Sequence, residues 1–210
     1  MPRFFTIALA VSAGFAIPTQ ASNIVSDGGF ESATLALYTA GVNGSIGDGW
    51  NVTSGQVTVW NNPLLAPGVA YDGNNSAYID YGNGVDTLDQ TLTTAVSQQY
   101  TVSFWVADNF ADPLTVSFGG VTIFNGTAPT NGISSVSDFV NYTFTPTATS
   151  TSSDLSFSSQ FTYNGQYGII LDDVSVTATG GGSSVPEPGT IAFLGIGCLA
   201  LIAVREGKRR

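Results

Sequence analysis

The residues of this chain that could do chemistry are its carboxylates. The segment from Ser22 to Ala178 contains 13 Asp and Glu residues but no Lys, Arg or His. This composition excludes a Ser-His-Asp triad, a Schiff-base lysine, a histidine-ligated metal and an arginine clamp for phosphate. It also excludes nucleic acid as a partner, because phosphate must be neutralised by positive charge. Two kinds of site remain: oxygen ligands for a hard cation such as Ca²⁺, and an acid pair, such as Asp80 with Asp108, acting as a glycosidase or lyase.

The size of this segment argues against catalysis. About 155 residues suffice for one compact domain with a sizeable core, but they leave little room for a catalytic cleft and supply no cationic group to assist one. We therefore expect that the protein is not an enzyme. The single cysteine, Cys198, lies outside the segment, so core burial must hold the domain together without a disulfide.

The first 21 residues have the pattern of a secretory signal peptide. Arg3 is followed by an apolar run from Phe4 to Ile17 and then by small and polar residues that end at Ala21. The run is too short for a stable membrane anchor. We therefore expect cleavage after Ala21 and a mature chain that starts near Ser22.

The other end of the chain is a three-part tail. A Gly/Ser linker over residues 179–184 leads into a Pro-containing segment, then into the apolar span 190–204, and the tail over residues 185–210 ends in basic side chains. The span has about 15 residues where roughly 20 cross a bilayer core comfortably, so we expect a marginal membrane helix. The positive-inside rule puts the basic end in the cytoplasm and the domain outside. The flanking basic residues are Arg205, Lys208, Arg209 and Arg210.

This tail resembles the PEP-CTERM sorting signal of Gram-negative bacteria, whose tripeptide corresponds to Pro186, Glu187 and Pro188. The resemblance implies a partner, a membrane-embedded sorting enzyme called an exosortase, which cleaves near the tripeptide. It also implies transient anchoring in the inner membrane, followed by passage to the cell surface or the extracellular space.

Between the two ends, apolar and polar residues alternate with a period of two, which is typical of β-strands. Turn signals such as Asn43-Gly44, Asp48-Gly49 and Gly119-Gly120 separate the alternating stretches, and no stretch has sustained helical periodicity. We predict an all-β sandwich over residues 22–178, with a jelly roll as the expected form. The predicted strands include Val57–Val59, Ala77–Ile79, Tyr100–Val106, Leu114–Phe118, Val140–Phe144, Leu155–Phe157 and Ile170–Val176.

A second resemblance covers almost all of this segment. Its motifs include Asp27-Gly28-Gly29-Phe30-Glu31 near the start and Leu171-Asp172-Asp173-Val174 in the last strand. They are similar to motifs of galactose-binding-like jelly-roll domains, which include several carbohydrate-binding module families and a related family of plant cell-wall proteins. The resemblance implies a structural Ca²⁺ held by Glu31 with Asp172 or Asp173, with backbone carbonyls near Asp27 to Gly29 completing the shell. The alternative is that Glu31 caps a turn and Asp172 accepts hydrogen bonds from buried backbone amides, without a metal.

A glycan site on such a sandwich needs aromatic platforms with polar neighbours on the outer side of a sheet. If Val102 and Phe104 face the core, Trp105 points to the opposite face of its strand. Trp105 can then serve as a platform or be covered by a loop as part of a core, and Trp50 is expected in the core. The candidate carbohydrate-binding residues are Trp60 and Trp105 on strands and Tyr71 and Phe110 on loops.

Three functions fit these observations. We favour a non-catalytic, exported surface or extracellular-matrix protein that is sorted through its tail and associated with exopolysaccharide or biofilm. The alternative is a dedicated carbohydrate-binding lectin, which would expose Trp60 or Trp105 beside Asn, Gln or Asp side chains. The third is a glycosidase that uses a pair of acids.

Overall fold

The computed structural model describes residues 21–32, 38–61, 70–79, 84–160 and 168–179. Residues 21–180 form one compact unit. Residues 1–20 and 180–210, which hold almost all of the predicted signal peptide and linker and all of the tail with its predicted span 190–204, lie outside the described residues. In the described part of the chain, no helix is both long enough and apolar enough to cross a membrane.

The described residues form an all-β structure, as the alternation predicts. Its one helical element is a single turn of 3-10 helix at Val136–Asp138. Each predicted strand lies within an observed one. The strands are β1 Tyr38–Gly47, β2 Trp50–Asn61, β3 Asn75–Ile79, β4 Val85–Thr93, β5 Tyr100–Ala107, β6 Pro113–Phe118, β7 Val121–Thr127, β8 Val140–Phe144, β9 Ser152–Gln160 and β10 Ile169–Ala178.

Strand β2 takes part in two antiparallel sheets, one along its first residues and the other along its last residues. Its first residues pair with β4, which continues through β9 and β6 to β7; we call this the first sheet. Its last residues pair with β3, which continues through β10 and β5 to β8; this is the second sheet. The change of sheet occurs at Gly55, where φ is +64°. A Cβ there would lie 1.7 Å from Asp86 Oδ1. Both the positive φ and this close approach therefore require glycine.

The main core lies between the inner faces of the two sheets. Phe104 of β5 meets Phe157 of β9 edge to face, with ring centroids 5.0 Å apart. Trp50, at the start of β2, is 1% exposed and donates its indole N–H to the Asp27 carbonyl at 3.0 Å. The expectation that Trp50 belongs to the core is confirmed.

The edge strands of the two sheets also approach one another. Phe124 of β7 contacts Tyr142 of β8, with ring centroids 5.0 Å apart. This contact lies between the edge strand of the first sheet and that of the second. It covers part of the strand edge that could otherwise pair with another protein chain.

One predicted turn is wrong. Asn43-Gly44 lies inside β1, where the pairing with β2 shifts register between Val42 and Gly44. The glycine therefore marks an irregularity within a strand. The predicted turns at Asp48-Gly49 and Gly119-Gly120 are both observed, at the β1–β2 and β6–β7 connections.

Candidate functional site

Strand β5 separates the main core from the opposite face of the second sheet. Val102, Phe104 and Val106 point inward and are fully buried. Trp105 points outward and is partly buried, as are Thr101 and Ser103. The alternation predicted for this strand is therefore observed, and it places Trp105 outside the main core.

Trp105 is part of a second, smaller hydrophobic cluster on the outer face of the second sheet. The neighbouring strands contribute Trp60 from β2 and Tyr78 from β3, while loops contribute Tyr71 and Phe139. Ile133, Ala107 and Ile170 pack among these rings. We call the five aromatic residues Trp60, Tyr71, Tyr78, Trp105 and Phe139 the outer aromatic cluster.

The cluster is buried at its centre and open at its margin. Tyr78 and Phe139 are each 5% exposed, whereas Trp60, Tyr71 and Trp105 are partly exposed. The Tyr71 ring stacks on Trp105, with centroids 3.8 Å apart and planes at 14°. Trp60 packs over Tyr78 at 4.8 Å. Tyr71 therefore occupies one face of the Trp105 ring.

A buried carboxylate holds the Tyr71 loop in this position. Asp172 is fully buried on β10, directly beside Trp105 in the sheet. Its Oδ2 accepts the backbone N–H of Tyr71 at 2.7 Å and that of Asp72 at 3.2 Å, and its Oδ1 accepts that of Asp173 at 2.7 Å. Burial raises the pKa of Asp172 to about 7, although these three hydrogen bonds lower it in part.

Asp173 reaches the outer face because β10 is irregular at this point. The pairing with β5 shifts register between Asp172 and Ser175, and Asp173 adopts a φ of +45°. Its side chain is exposed. Partial desolvation and the nearby charge of Asp72 raise the pKa of Asp173, and the neighbouring Trp105 side chain lowers it.

A row of polar side chains borders Trp105 on the other side. Asn141 of β8 is its neighbour in the sheet and donates to Ser103 Oγ at 3.0 Å. Thr143 donates to Asn141 Oδ1 at 2.9 Å. The partly exposed ring of Trp105 thus lies between an amide and a carboxylate, the kind of neighbours that the lectin alternative requires.

Glu31 also binds backbone amides. Its Oε1 accepts the N–H groups of Asn74 and Asn75, both at 2.6 Å. Gly73 makes this approach feasible, because a Cβ there would lie 2.4 Å from Glu31 Oε1. The carboxylate therefore fastens the loop that carries Tyr71 to the start of the domain.

These contacts bear on the predicted Ca²⁺ site. Oxygens of Glu31 and Asp172 already accept backbone N–H groups, as in the metal-free alternative, and the described residues include no group of three or more acids placed to hold a metal. Calcium stays a prediction. A calcium-dependent rise in melting temperature that Glu31→Gln removes would establish it, and an unchanged melting temperature would favour the alternative.

Of the acid pair suggested for catalysis, the structure describes only Asp108. Asp108 is fully buried and accepts N–H groups from Asn109, Phe110 and Asp112 at 2.6–3.1 Å. Asp80 lies outside the described residues. Burial, the charge of Asp108 and a hydrogen bond with it raise the pKa of Asp112 to about 6. Asp108 thus shapes the loop on which Phe110 lies, and Phe110 itself is 41% exposed.

Two members of the outer aromatic cluster were not identified from the sequence. The sequence predicts Tyr78 on a strand, and strand parity places it outward because its neighbours Ala77 and Ile79 are fully buried. Phe139 directly follows a capping box formed by Ser135 and Asp138. That motif is a local signal for an ordered loop.

Comparison with known proteins identifies the tail and the fold. Residues 184–210 match the family model of the PEP-CTERM protein-sorting motif. The predicted sorting signal is confirmed. No curated protein matches the sequence.

Several solved structures are similar to the described domain. The CBM22-1 xylan-binding domain of Paenibacillus barcinonensis Xyn10C has a TM-score of 0.50 at 14% identity, over 79% of this chain and 99% of that one. TmCBM61, in complex with β-1,4-galactotriose, has a TM-score of 0.49 at 16% identity, over 75% of this chain and 99% of that one. A CBM35 of Paenibacillus barcinonensis has a TM-score of 0.42 at 18% identity, over 67% and 99%. At such low identity the similarity shows the fold alone, and the fold is the predicted jelly roll.

Proposed function

We propose that this chain is an exported, non-catalytic surface or matrix protein that binds polysaccharide through the margin of the outer aromatic cluster. The observation that carries the proposal is the stacked, partly exposed pair of Tyr71 and Trp105. Sugar rings pack on such aromatic faces through their apolar sides, while polar groups at the edge accept or donate hydrogen bonds. Asp173 and Asn141 lie at that edge.

The sorting motif supports export. A chain that carries this motif at residues 184–210 is a substrate for an exosortase in the inner membrane, from which its domain passes to the cell surface or outside. Release beside extracellular polymer would place the binding face next to exopolysaccharide or biofilm matrix.

The chemistry of the acids supports a binding role over catalysis. Asp108 and Asp172 are fully buried, and each carboxylate accepts three backbone N–H groups. Glycosidases need two carboxyl groups that face one sugar bond from opposite sides. The carboxylates of Asp108 and Asp172 are instead engaged in holding loops in position.

Binding is tested with the full chain purified in detergent. Affinity electrophoresis through gels containing individual polysaccharides identifies a ligand, and the variants Tyr71→Ala and Trp105→Ala are run beside the wild type. We expect both variants to lose retardation. Val121→Ala, an exposed apolar change at the β6–β7 turn of the first sheet, serves as the matched control and should bind normally. Equal binding by all variants would contradict the proposed site.

Sorting is tested by expression in cells with and without their exosortase, followed by mass measurement of the exported protein. We expect a form that lacks the residues after the tripeptide in the first case and an intact carboxyl terminus in the second. An intact terminus in both would contradict the proposed route.

A further inference from the structure

The margin of the outer aromatic cluster carries negative charge and no positive charge. Asp72 and Asp173 are both exposed there, and one carboxylate, that of Asp172, accepts the backbone N–H groups of both residues. No side chain between Ser22 and Ala178 is cationic at neutral pH. A uronate or sulfated polymer would therefore be repelled from this face, since no side chain of the domain offsets its charge.

The charged groups at this margin are hydrogen-bond acceptors. Ionised carboxylates accept and cannot donate, and the Asn141 amide already donates to Ser103 Oγ and the Phe104 carbonyl. A ligand that is rich in donors complements such a surface.

The aromatic faces favour the same kind of ligand. A cation within about 6 Å of a Trp or Tyr ring is attracted by the electrons of the ring. An ammonium group carries three donors and no acceptor, so it meets both the rings and the two carboxylates. Its charge would also relieve the repulsion between Asp72 and Asp173.

From this juxtaposition we infer that the face selects a cationic polysaccharide, one whose sugars carry free amino groups, over uncharged and anionic polymers. The inference rests on the proposed function, because it names the class of polysaccharide that the same site takes. Asp72 and Asp173 are the specificity-determining residues, and Tyr71 with Trp105 supplies the platform that any sugar would use.

The test compares three probes on the full chain in detergent by isothermal titration: a β-1,4-glucosamine hexamer, its fully N-acetylated counterpart and an oligogalacturonate of the same length. We expect the amino hexamer to bind at least about tenfold more tightly than the N-acetylated one, which corresponds to about 1.4 kcal/mol. The oligogalacturonate should not bind. Titrations at low and moderate salt should show the preference weaken as salt rises.

Two double variants with the same loss of charge distinguish an effect of Asp72 and Asp173 from an effect of the overall negative charge of the domain. Asp72→Asn with Asp173→Asn should abolish the preference and leave the two hexamers equal, and asparagine tolerates the positive φ at position 173. Asp48→Asn with Asp154→Asn removes the same charge from exposed positions elsewhere and should leave the preference intact. The inference would be overturned if both double variants lost the preference for the amino hexamer equally, or if the wild type had no such preference.

The outcome of Trp105→Ala separates failure of the cationic preference from failure of the binding site. If the N-acetylated hexamer binds as tightly as the amino hexamer and Trp105→Ala abolishes both, the cationic preference is wrong and the proposed binding site stands. If Trp105→Ala changes neither, the proposed binding site is wrong as well. Thermal unfolding of each variant beforehand ensures that the comparison is made on folded protein.

Discussion

Trp50 and Trp105 show how the inner and outer sides of this sandwich differ. Trp50 packs between Phe30 and Phe157 in the main core and gives its indole N–H to a backbone carbonyl. Trp105 stacks on a loop residue, Tyr71, and lies in the sheet between Asp172 and Asn141. The first arrangement is fixed by strand packing. The second depends on a loop whose position is set by buried acids, and that dependence is typical of binding sites.

The two regions also differ in what their acids do. On the inner side, buried Asp86 of β4 accepts the backbone N–H of Gln56 at 2.7 Å, next to the point where β2 changes sheet. Around the outer aromatic cluster, Glu31 and Asp172 bind the backbone amides of residues 71–75 and so determine where Tyr71 lies. Glu31 and Asp172 therefore act as anchors for backbone, whereas Asp72 and Asp173 present exposed carboxylates.

The largest difference should appear when each tryptophan is truncated. Trp50→Ala opens a cavity in the main core and should lower the free energy of unfolding by about 3–5 kcal/mol. Trp105→Ala removes a partly exposed ring and should cost about 1–2 kcal/mol. Urea denaturation followed by circular dichroism measures both. Equal losses would mean that Trp105 belongs to a sealed core, and the platform role would then be untenable.

Asp172 tests whether the loop is held by its carboxylate. Asp172→Ala leaves the N–H groups of Tyr71, Asp72 and Asp173 without their acceptor, at a cost of about 1–3 kcal/mol, and should weaken glycan binding by releasing Tyr71. Asp172→Asn retains one acceptor oxygen, so its loss should be smaller. Urea denaturation at pH 6 and the retardation assay give both readouts. A destabilised Asp172→Ala variant that binds normally would show that the loop position does not matter for the site.

The stability of the domain should increase as the pH falls from 8 to 4.5. The pKa of Asp172 is raised to about 7 and that of Asp112 to about 6, so the folded state holds these protons more tightly than the unfolded chain. The resulting stabilisation is complete below the ordinary carboxyl pKa of about 4 and is lost as pH rises through about 6 to 7. Melting temperature measured across this range checks the direction. Asp172→Asn and Asp112→Asn should each flatten the profile, and a fall in stability on acidification would contradict the assigned pKa shifts.

The smallest effect on stability is expected at Phe110. Its ring is 41% exposed on the loop after β5, so Phe110→Ala should change the free energy of unfolding by no more than about 0.5 kcal/mol. The effect of Phe110→Ala on glycan binding shows whether the binding site includes this loop. Normal retardation of Phe110→Ala would confine the site to the second sheet, and lost retardation would extend it to this loop.

Much of the fold follows from local rules. Alternation in the sequence of β5 is enough to assign Phe104 to the core and Trp105 to the outer face, because side chains on a strand point in opposite directions in turn. The same kind of local rule fails at Asn43-Gly44, where a dipeptide typical of hairpin turns lies within a strand. Pairing with β2 outweighs the local preference there.

The candidate site is harder to anticipate because it is built from distant segments. The stacking of Tyr71 on Trp105 requires that Asp172, some hundred residues later in the chain, accept the amide of Tyr71. The exposure of Asp173 arises from an irregularity in β10 that no residue pattern announces. Sequence periodicity identifies the faces of strands but carries no information about which loop covers them.

The most direct test of binding at the outer aromatic cluster is nuclear magnetic resonance on ¹⁵N-labelled protein, since the three tryptophans give three indole N–H signals and Trp50 serves as an internal control. Titration with the amino hexamer should shift the Trp105 signal progressively to saturation while the Trp50 signal stays in place. A saturating titration that leaves Trp105 unmoved would contradict the claim that polysaccharide binds at the outer aromatic cluster.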